Sequence, residues 1–226
     1  MHVRLSLNPI GDATMPRNAL PSCGLYALTD GPRSDLLEVS AQALAGGARL
    51  LQYRDNGADE VRRLAEAAAL KKLCVRHAAL LIVETDVELA MAVQADGVHL
   101  HRVEELAQAR ARLGDDAIIG LSCRDSIALA KAAAGAGASY VSFGAFFPSP
   151  TKPLAPRASI DLLRQSAALG IPRVAIGGIT PDNGASLVAE GAQFLAVISA
   201  LFGAADVRLA AQRLARLYSP TSGTAA

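Results

Sequence analysis

Short apolar runs, separated by longer mixed segments, recur along most of the chain. They lie at positions 24–29, 49–53, 80–83, 97–100, 117–121, 139–143, 174–176 and 194–198. A strand with one face in water alternates polar and apolar residues, whereas these runs are apolar almost throughout. The pattern therefore predicts parallel strands that are covered on both faces.

The segments that follow these runs are predicted to be helices. They lie at positions 34–45, 59–77, 86–93, 103–113, 125–134, 159–169, 180–190 and 206–217. Ser34 is the predicted N-cap of the first helix, and Gly114 ends the fourth. Eight strands alternate with eight helices at short, even spacing, which favours a single closed (β/α)8 TIM barrel over an open doubly wound sheet.

The barrel accounts for residues 23–218 as one domain, and 226 residues is an ordinary length for it. Residues 1–22 show no periodic pattern and are predicted to form a flexible N-terminal tail. Residues 219–226, rich in serine, threonine and glycine, are predicted to be a disordered C-terminal tail.

Composition excludes several classes of partner. A formal net charge of +1 and 4% aromatic residues argue against a nucleic-acid surface, which needs basic patches and stacking rings. No apolar run approaches the roughly 18 residues of a membrane span, and the N-terminus lacks the apolar core of a signal peptide. Three widely spaced cysteines predict a reducing cytoplasm and no cysteine metal cluster. An oligomer is compatible with the sequence.

Polar residues at the C-terminal ends of the strands are the candidates for chemistry, because that is where such barrels place their active sites. After predicted strands two to six they are Gln52, Arg54, Asn56, Glu84, Thr85, Asp86, His99, His101, Glu104, Ser122, Arg124, Ser149, Thr151 and Lys152.

The last two strands end in small residues whose backbone N–H groups can face an anion. Gly177-Gly178 follows the seventh strand and Ile198-Ser199 ends the eighth, where these barrels commonly bind phosphate. Arg54 and Lys152 add positive charge to the same rim. A phosphate or diphosphate ligand is therefore favoured over a lone carboxylate.

The carboxylates Glu84, Asp86 and Glu104 could hold Mg2+ against a diphosphate, because Mg2+ prefers a few protein oxygens together with substrate phosphate. Each could instead stabilise a helix N-terminus, where acidic residues are common.

Structural interpretations also exist for Gln52, Arg54 and His99. Gln52 could be a polar residue that is satisfied inside the barrel, and Arg54 could pair with Asp55 at the surface. His99, in an apolar strand, is expected to be packed and hydrogen-bonded.

Eight sequence blocks resemble those of thiamine phosphate synthase, in that family's order. They are GLYALTD, GGARLLQYRD, LLIVETDVELA, ADGVHL, IIGLSC, SYVSFGAFFPSPTKP, VAIGGITPDN and LAVISALF. The resemblance implies a transferase that joins 4-amino-5-hydroxymethyl-2-methylpyrimidine diphosphate to a thiazole phosphate, with Mg2+ as cofactor and diphosphate as the second product. In that chemistry a pyrimidine carbocation is captured by the thiazole nitrogen, so positioning and anion stabilisation matter more than a general base.

The resemblance also implies roles for individual residues. The catalytic positions are Arg54, Ser122 and Lys152. The pyrimidine diphosphate positions are Gln52, Arg54, Asn56, Glu84, Ser122 and Lys152. The thiazole phosphate positions are Ser149, Thr151, Gly178, Ile198 and Ser199. The metal positions are Thr85 and Glu104, with Asp86 or Glu84 as substitutes.

The chain departs from the family pattern around the diphosphate and the metal. This chain has Asn56 where the family has a lysine, and Glu84-Thr85 where the family has an Asn-Asp pair. It has Glu104 where the family has an aspartate. A glycine is expected at His101, and a histidine is common at Arg124. Two alternatives to a synthase therefore stay open: a thiazole tautomerase-like paralogue that uses His101, and a non-catalytic barrel that binds thiazole phosphate.

Overall fold

The computed structural model describes residues 19–148 and 156–219. Eight parallel strands form a closed barrel in chain order, and the last strand pairs with the first. The strands are β1 (Gly24–Leu28), β2 (Ala48–Tyr53), β3 (Leu80–Glu84), β4 (Gly97–Leu100), β5 (Ile118–Arg124), β6 (Tyr140–Phe143), β7 (Arg173–Ile176) and β8 (Phe194–Val197). The predicted (β/α)8 barrel is confirmed.

Helices follow the strands and pack on the outside of the barrel. They are α1 (Leu36–Ala45), α2 (Glu60–Arg76), α3 (Val87–Ala92), α4 (Leu106–Leu113), α5 (Ile127–Gly135), α6 (Asp161–Gln165), α7 (Gly184–Ala189), α8 (Ser199–Phe202) and α9 (Val207–Ala215). The short helix α8, directly after β8, is an element that the hydrophobic pattern does not predict.

Helix starts differ from the predictions at several helices, among them α1 and α5. Asp35, rather than Ser34, is the N-cap residue of α1, and its carboxylate pairs with Arg33 instead of capping the helix. At α5, the Oγ of Ser126 accepts a hydrogen bond from the N–H of Leu129, so this helix begins later than predicted.

Two apolar layers hold the barrel together. The interior layer consists of Tyr26, Leu28, Leu50, Ile82, Ile118, Tyr140, Val174, Phe194 and Ala196. Alternate positions, such as Leu25 and Ala27 in β1, belong to the layer between strands and helices. Because successive side chains of a strand point to opposite faces, Gln52 lies on the inner face with Leu50, and Tyr53 faces outward.

The predicted tails fall largely on residues 1–18 and 220–226, which lie outside the described residues. Leu20, within the described part, packs against the interior layer. Within the described ranges, no helix combines the length and the apolar character needed to cross a bilayer.

Candidate active site

Two adjoining cavities open at the C-terminal ends of the strands. The larger has a volume of about 460 Å³, and the smaller, of about 130 Å³, lies against the ends of β7 and β8. Ile176, Gly177 and Ile198 line both cavities. Two ligands bound in them would therefore lie side by side.

The smaller cavity is formed mainly by backbone and apolar groups. Gly178 has a φ of 63°, and a Cβ atom there would lie 2.2 Å from the carbonyl oxygen of Pro148. Asn183 holds this turn, since its Nδ2 donates to the Gly178 carbonyl oxygen at 3.0 Å and its Oδ1 accepts from the Thr180 N–H at 2.8 Å. A concave backbone surface of this kind suits phosphate oxygens. Sequence reasoning missed Asn183, although an asparagine next to a Pro-Asp turn is a recognisable signal.

A chain of buried hydrogen bonds runs beneath the larger cavity. The hydroxyl of Tyr26 donates to Oε1 of Gln52 at 2.9 Å and lies 2.9 Å from the hydroxyl of Tyr140. Nδ1 of His99 lies 3.0 Å from the Tyr140 hydroxyl. Gln52 and His99, at the two ends of this chain, both line the cavity.

The donor of each of these hydrogen bonds follows from the protonation states of the groups. Burial raises the pKa of Tyr26 and of Tyr140, and burial with the nearby His101 lowers the pKa of His99 to about 4, so these three groups are neutral at pH 7. Since Tyr26 gives its only hydroxyl hydrogen to Gln52, Tyr140 must donate to Tyr26. His99 then donates its Nδ1–H to Tyr140. The tyrosines were not identified from the sequence, although their inward-facing strand positions are a usable signal.

Glu84, the last residue of β3, places a carboxylate at the edge of the larger cavity. Its Oε2 lies 3.1 Å from Nε of Arg54, its Oε1 lies 3.1 Å from Nε2 of His101, and its side chain is 10% exposed. Burial alone would raise the pKa of Glu84, but the contact with His101 and the charge of Arg54 outweigh burial and lower it. Glu84 is therefore ionised at neutral pH.

The alternative pairing of Arg54 with Asp55 is not found, because the two side chains lie on opposite faces of the barrel wall. Arg54 lines the larger cavity and contacts Glu84. Asp55 packs outside, where its Oδ2 lies 2.6 Å from Nη1 of Arg62. The alternation of a strand, continued past the end of β2, explains this difference.

The predicted metal ligands are not assembled by the described residues. Asp86 caps α3 and its carboxylate lies 2.6 Å from Nη2 of Arg63. Glu104 has a side chain that is 68% exposed and lies 3.8 Å from Nε of Arg102. Within the described ranges, no three Asp, Glu, His or Cys side chains form a group that could hold a metal ion.

Thr85 does not complete such a site. Its φ of 57° is rare for a β-branched residue, and its side chain is exposed and absent from the cavity lining. Residues 149–155, outside the described part, contain no carboxylate, histidine or cysteine in their sequence. The described residues therefore hold no ready-made group of three such ligands, and any Mg2+ site would need oxygens from a bound phosphate ligand.

The other predicted residues divide into four groups. The larger cavity brings together Gln52, Arg54, Glu84 and Ser122, and it adds His101 and Arg124. Asn56 is exposed and is not part of the lining. Ser149, Thr151 and Lys152 lie outside the described residues. Gly178, Ile198 and Ser199 line the smaller cavity.

Closed parallel topology with cavities at the C-terminal rim defines a (β/α)8-barrel enzyme, and comparison with known proteins gives its family. Residues 25–201 match the family model described as thiamine monophosphate synthase. The thiamine-phosphate synthase of Chromobacterium violaceum is 55% identical over 195 residues, which cover 85% of this chain and 94% of the relative. The thiamine-phosphate synthase of Methylobacillus flagellatus is 48% identical over 209 residues, which cover 91% of this chain and 100% of the relative.

Solved structures agree with this result. Thiamine phosphate pyrophosphorylase from Pyrococcus furiosus has a TM-score of 0.76 and 34% identity, covering 87% of this chain and 95% of that one. A 3-hexulose-6-phosphate synthase, with a TM-score of 0.66 and 17% identity, shares the fold. The chain belongs to the thiamine monophosphate synthase family, and the predictions of this family and of an enzyme are confirmed.

Proposed function

We propose that the enzyme joins 4-amino-5-hydroxymethyl-2-methylpyrimidine diphosphate to a thiazole phosphate, giving thiamine phosphate and diphosphate. The observation that carries this proposal is the shared wall of the two cavities, formed by Ile176, Gly177 and Ile198. A reaction between two ligands needs their reacting atoms in contact, and adjoining cavities supply that arrangement.

The smaller cavity suits the phosphate of the thiazole substrate. Gly178, Ile198 and Ser199 line it, and Ser149 and Thr151 are proposed to add hydroxyl groups. The larger cavity, with more than three times the volume, suits the pyrimidine and its diphosphate.

The residues of the larger cavity match the demands of the proposed reaction. The C–O bond of the pyrimidine substrate breaks, its electron pair leaves with the diphosphate, and the lone pair of the thiazole nitrogen forms the new C–N bond. Arg54 and Ser122 face the cavity and are proposed, with Lys152, to stabilise the leaving diphosphate. Gln52, whose Oε1 is already bonded to Tyr26, offers its amide N–H groups to the pyrimidine.

Among the residues predicted to bind the diphosphate, Asn56 and Glu84 have the least support from the structure. Asn56 lies on the exposed loop after β2, and Glu84 contributes a negative charge beside Arg54. Mg2+ stays the proposed cofactor on the family resemblance, although the described residues do not form a site for it. A cytoplasmic location is proposed because the three cysteines are unpaired.

The test is product formation by the purified protein. Incubation with both substrates and Mg2+ should give thiamine phosphate and diphosphate in equal amounts, measured by mass spectrometry and a diphosphate assay. Isomerisation of a thiazole phosphate without any pyrimidine substrate would instead support the tautomerase-like alternative. A thermal shift with thiazole phosphate and no turnover at high enzyme concentration would support the non-catalytic barrel.

A further inference from the structure

Arg124 is a residue of the larger cavity to which the proposed function gives no role. It is the last residue of β5, and it lines the cavity together with Ser122, two positions earlier on the same strand. Leu121 and Cys123, which alternate with them, belong to the layer between strands and helices. Alternation along β5 therefore turns the side chains of Ser122 and Arg124 toward the mouth of the barrel.

The backbone at Arg124 has a conformation that residues with a side chain rarely adopt. Its φ is 53°, and between Ser122 and Arg124 the register of β5 against β6 shifts by one residue, as in a β-bulge. The carbonyl oxygen of Arg124 accepts a hydrogen bond from the Gly144 N–H at 2.9 Å, which holds this conformation. Bulges next to active sites change the direction of a side chain, and the left-handed backbone costs free energy that a glycine would avoid.

The charge of Arg124 is not neutralised by any carboxylate of the described residues. Arg54, the other arginine that lines the larger cavity, lies 3.1 Å from Oε2 of Glu84. Among the residues that the structure describes, Arg124 forms no such ion pair, not even with Asp125, its neighbour in the sequence. A guanidinium is always charged in a protein, and its planar set of N–H groups fits phosphate oxygens.

The position of Arg124 indicates which ligand it faces. It lines the larger cavity and not the smaller one, which is proposed to bind the thiazole phosphate. Arg54 directly follows β2, and Arg124 ends β5, with β3 and β4 between these strands in the barrel. The two arginines therefore approach the larger cavity from different sides. A diphosphate bound between them gains negative charge as it leaves, and a guanidinium without a partner gains most from that charge.

We propose that Arg124 is a further catalytic residue, whose guanidinium binds the diphosphate group of the pyrimidine substrate and stabilises it as it leaves. The C–O bond breaks, its electron pair stays on the diphosphate oxygen, and Arg124 donates N–H hydrogen bonds to phosphate oxygens without transferring a proton. This inference rests on the proposed function for the identity of the ligand. Its test measures binding of inorganic diphosphate without thiazole substrate or turnover, so its failure is separate from a failure to form product.

The test compares the wild type with variants of two arginines. Arg124→Gln removes the charge and keeps a polar side chain, and Arg124→Gly removes the side chain and accepts the left-handed backbone. Arg49→Gln is the matched control, because it removes the same charge from an exposed arginine near the start of β2, at the opposite end of the barrel. Isothermal titration calorimetry of each full-length protein gives the dissociation constant of inorganic diphosphate at fixed Mg2+ concentration and ionic strength.

We expect both Arg124 variants to bind inorganic diphosphate about 10- to 100-fold more weakly than the wild type, the effect of losing charge-assisted hydrogen bonds. Arg49→Gln should bind it like the wild type. Wild-type affinity in both Arg124 variants would overturn the proposal. An equal loss in Arg49→Gln would also overturn it, because the effect would then follow from net charge and not from contact.

Two further measurements on the same proteins separate binding from a structural role. Arg124→Gly should unfold at or above the wild-type temperature, because it removes the strain at a φ of 53°. The thermal shift caused by thiazole phosphate should be the same in the Arg124 variants as in the wild type, because Arg124 does not line the smaller cavity. Loss of that shift with unchanged diphosphate affinity would overturn the proposal, as would a fall in unfolding temperature in both variants large enough to explain the weaker binding.

Discussion

Tyr26 and Gln52, on neighbouring strands inside the barrel, are joined by a hydrogen bond of 2.9 Å from the tyrosine hydroxyl to Oε1 of the amide. This bond decides which end of the amide a ligand meets. With Oε1 occupied, the Nε2 hydrogens of Gln52 are the groups that face an acceptor, and a ring nitrogen of the proposed pyrimidine is such an acceptor. Tyr26 is thus a positioning residue that acts through Gln52.

Replacement of Tyr26 by phenylalanine removes the bond and keeps the ring. We expect Tyr26→Phe to raise KM for the pyrimidine diphosphate about tenfold, with a smaller change in kcat, because the amide of Gln52 is free to rotate. Steady-state kinetics with each substrate varied in turn measures this effect.

Tyr53→Phe is the matched control for this variant. Tyr53 is equally buried and its hydroxyl donates to Oε2 of Glu66 at 2.6 Å, but it faces outward. Both variants should lose about 1 kcal/mol of unfolding free energy, and only Tyr26→Phe should change KM. Equal kinetic effects would contradict the positioning role.

Gly178 and Gly170 allow backbone strain to be separated from steric conflict. Both have positive φ, 63° and 70°, but a Cβ at Gly178 meets the Pro148 carbonyl oxygen at 2.2 Å, whereas a Cβ at Gly170 has nothing within 4 Å. We expect Gly170→Ala to cost about 1 kcal/mol of stability and leave kinetics unchanged. Gly178→Ala should add a loss of thiazole phosphate binding, because the loop must shift.

Measurement of KM for thiazole phosphate and of denaturant unfolding in the two glycine variants checks this prediction. If both alanine variants bound thiazole phosphate like the wild type, the turn at Gly178 would not be part of the phosphate site.

Asn183 should matter to the same cavity without touching its ligand. Asn183→Ala removes both hydrogen bonds of the turn, whereas Asn183→Asp keeps an acceptor for the Thr180 N–H but turns a carboxylate oxygen toward the Gly178 carbonyl. We expect both variants to weaken thiazole phosphate binding, by about 5- to 30-fold for each lost bond, which corresponds to about 1–2 kcal/mol, with the larger loss in Asn183→Ala. Ser186→Ala, which removes a bond within the exposed start of α7, is the control. Retained affinity in Asn183→Asp would show that the donor bond is unimportant.

The hydrophobic pattern predicts the strands well because each run is buried on both faces, so tertiary contacts and local propensity agree. It predicts helix starts less well, since the cap of α1 depends on whether Asp35 is free, and Arg33 holds it. The rim was predicted from strand ends, which places Arg54 and Glu84 correctly but does not reveal that they contact each other.

The metal positions stay a prediction, and the contacts of their carboxylates could not all be predicted from the sequence. The closeness of Asp86 to a strand end says nothing about Arg63, which reaches its carboxylate from α2. Arg102, by contrast, stands next but one to Glu104 in the sequence. Sequence shows which residues can ligate a metal, but only the packed structure shows which of them are already paired.

Asp55 gives a prediction about pH that is independent of the active site. Its side chain is 1% exposed, its Oδ2 lies 2.6 Å from Nη1 of Arg62, and its Oδ1 accepts from the Gly57 N–H at 2.7 Å. Burial alone would raise the pKa of Asp55, but Arg62 and the Gly57 N–H outweigh burial and lower it. A carboxyl whose pKa is lower in the folded state stabilises the fold above its unfolded pKa of about 3.9 and loses that contribution as the pH falls through its folded pKa.

We therefore expect Asp55→Asn to lower the unfolding free energy by about 2–3 kcal/mol at pH 7, because Arg62 and the buried site lose their counter-charge. The difference from the wild type should stay constant down to about pH 4 and shrink below it. Urea unfolding at pH 7, 5, 4 and 3 measures this, with Asp115→Asn on the exposed surface as the control. A difference between wild type and Asp55→Asn that is as large at pH 3 as at pH 7 would show that the stabilisation comes from packing and not from the charge of Asp55.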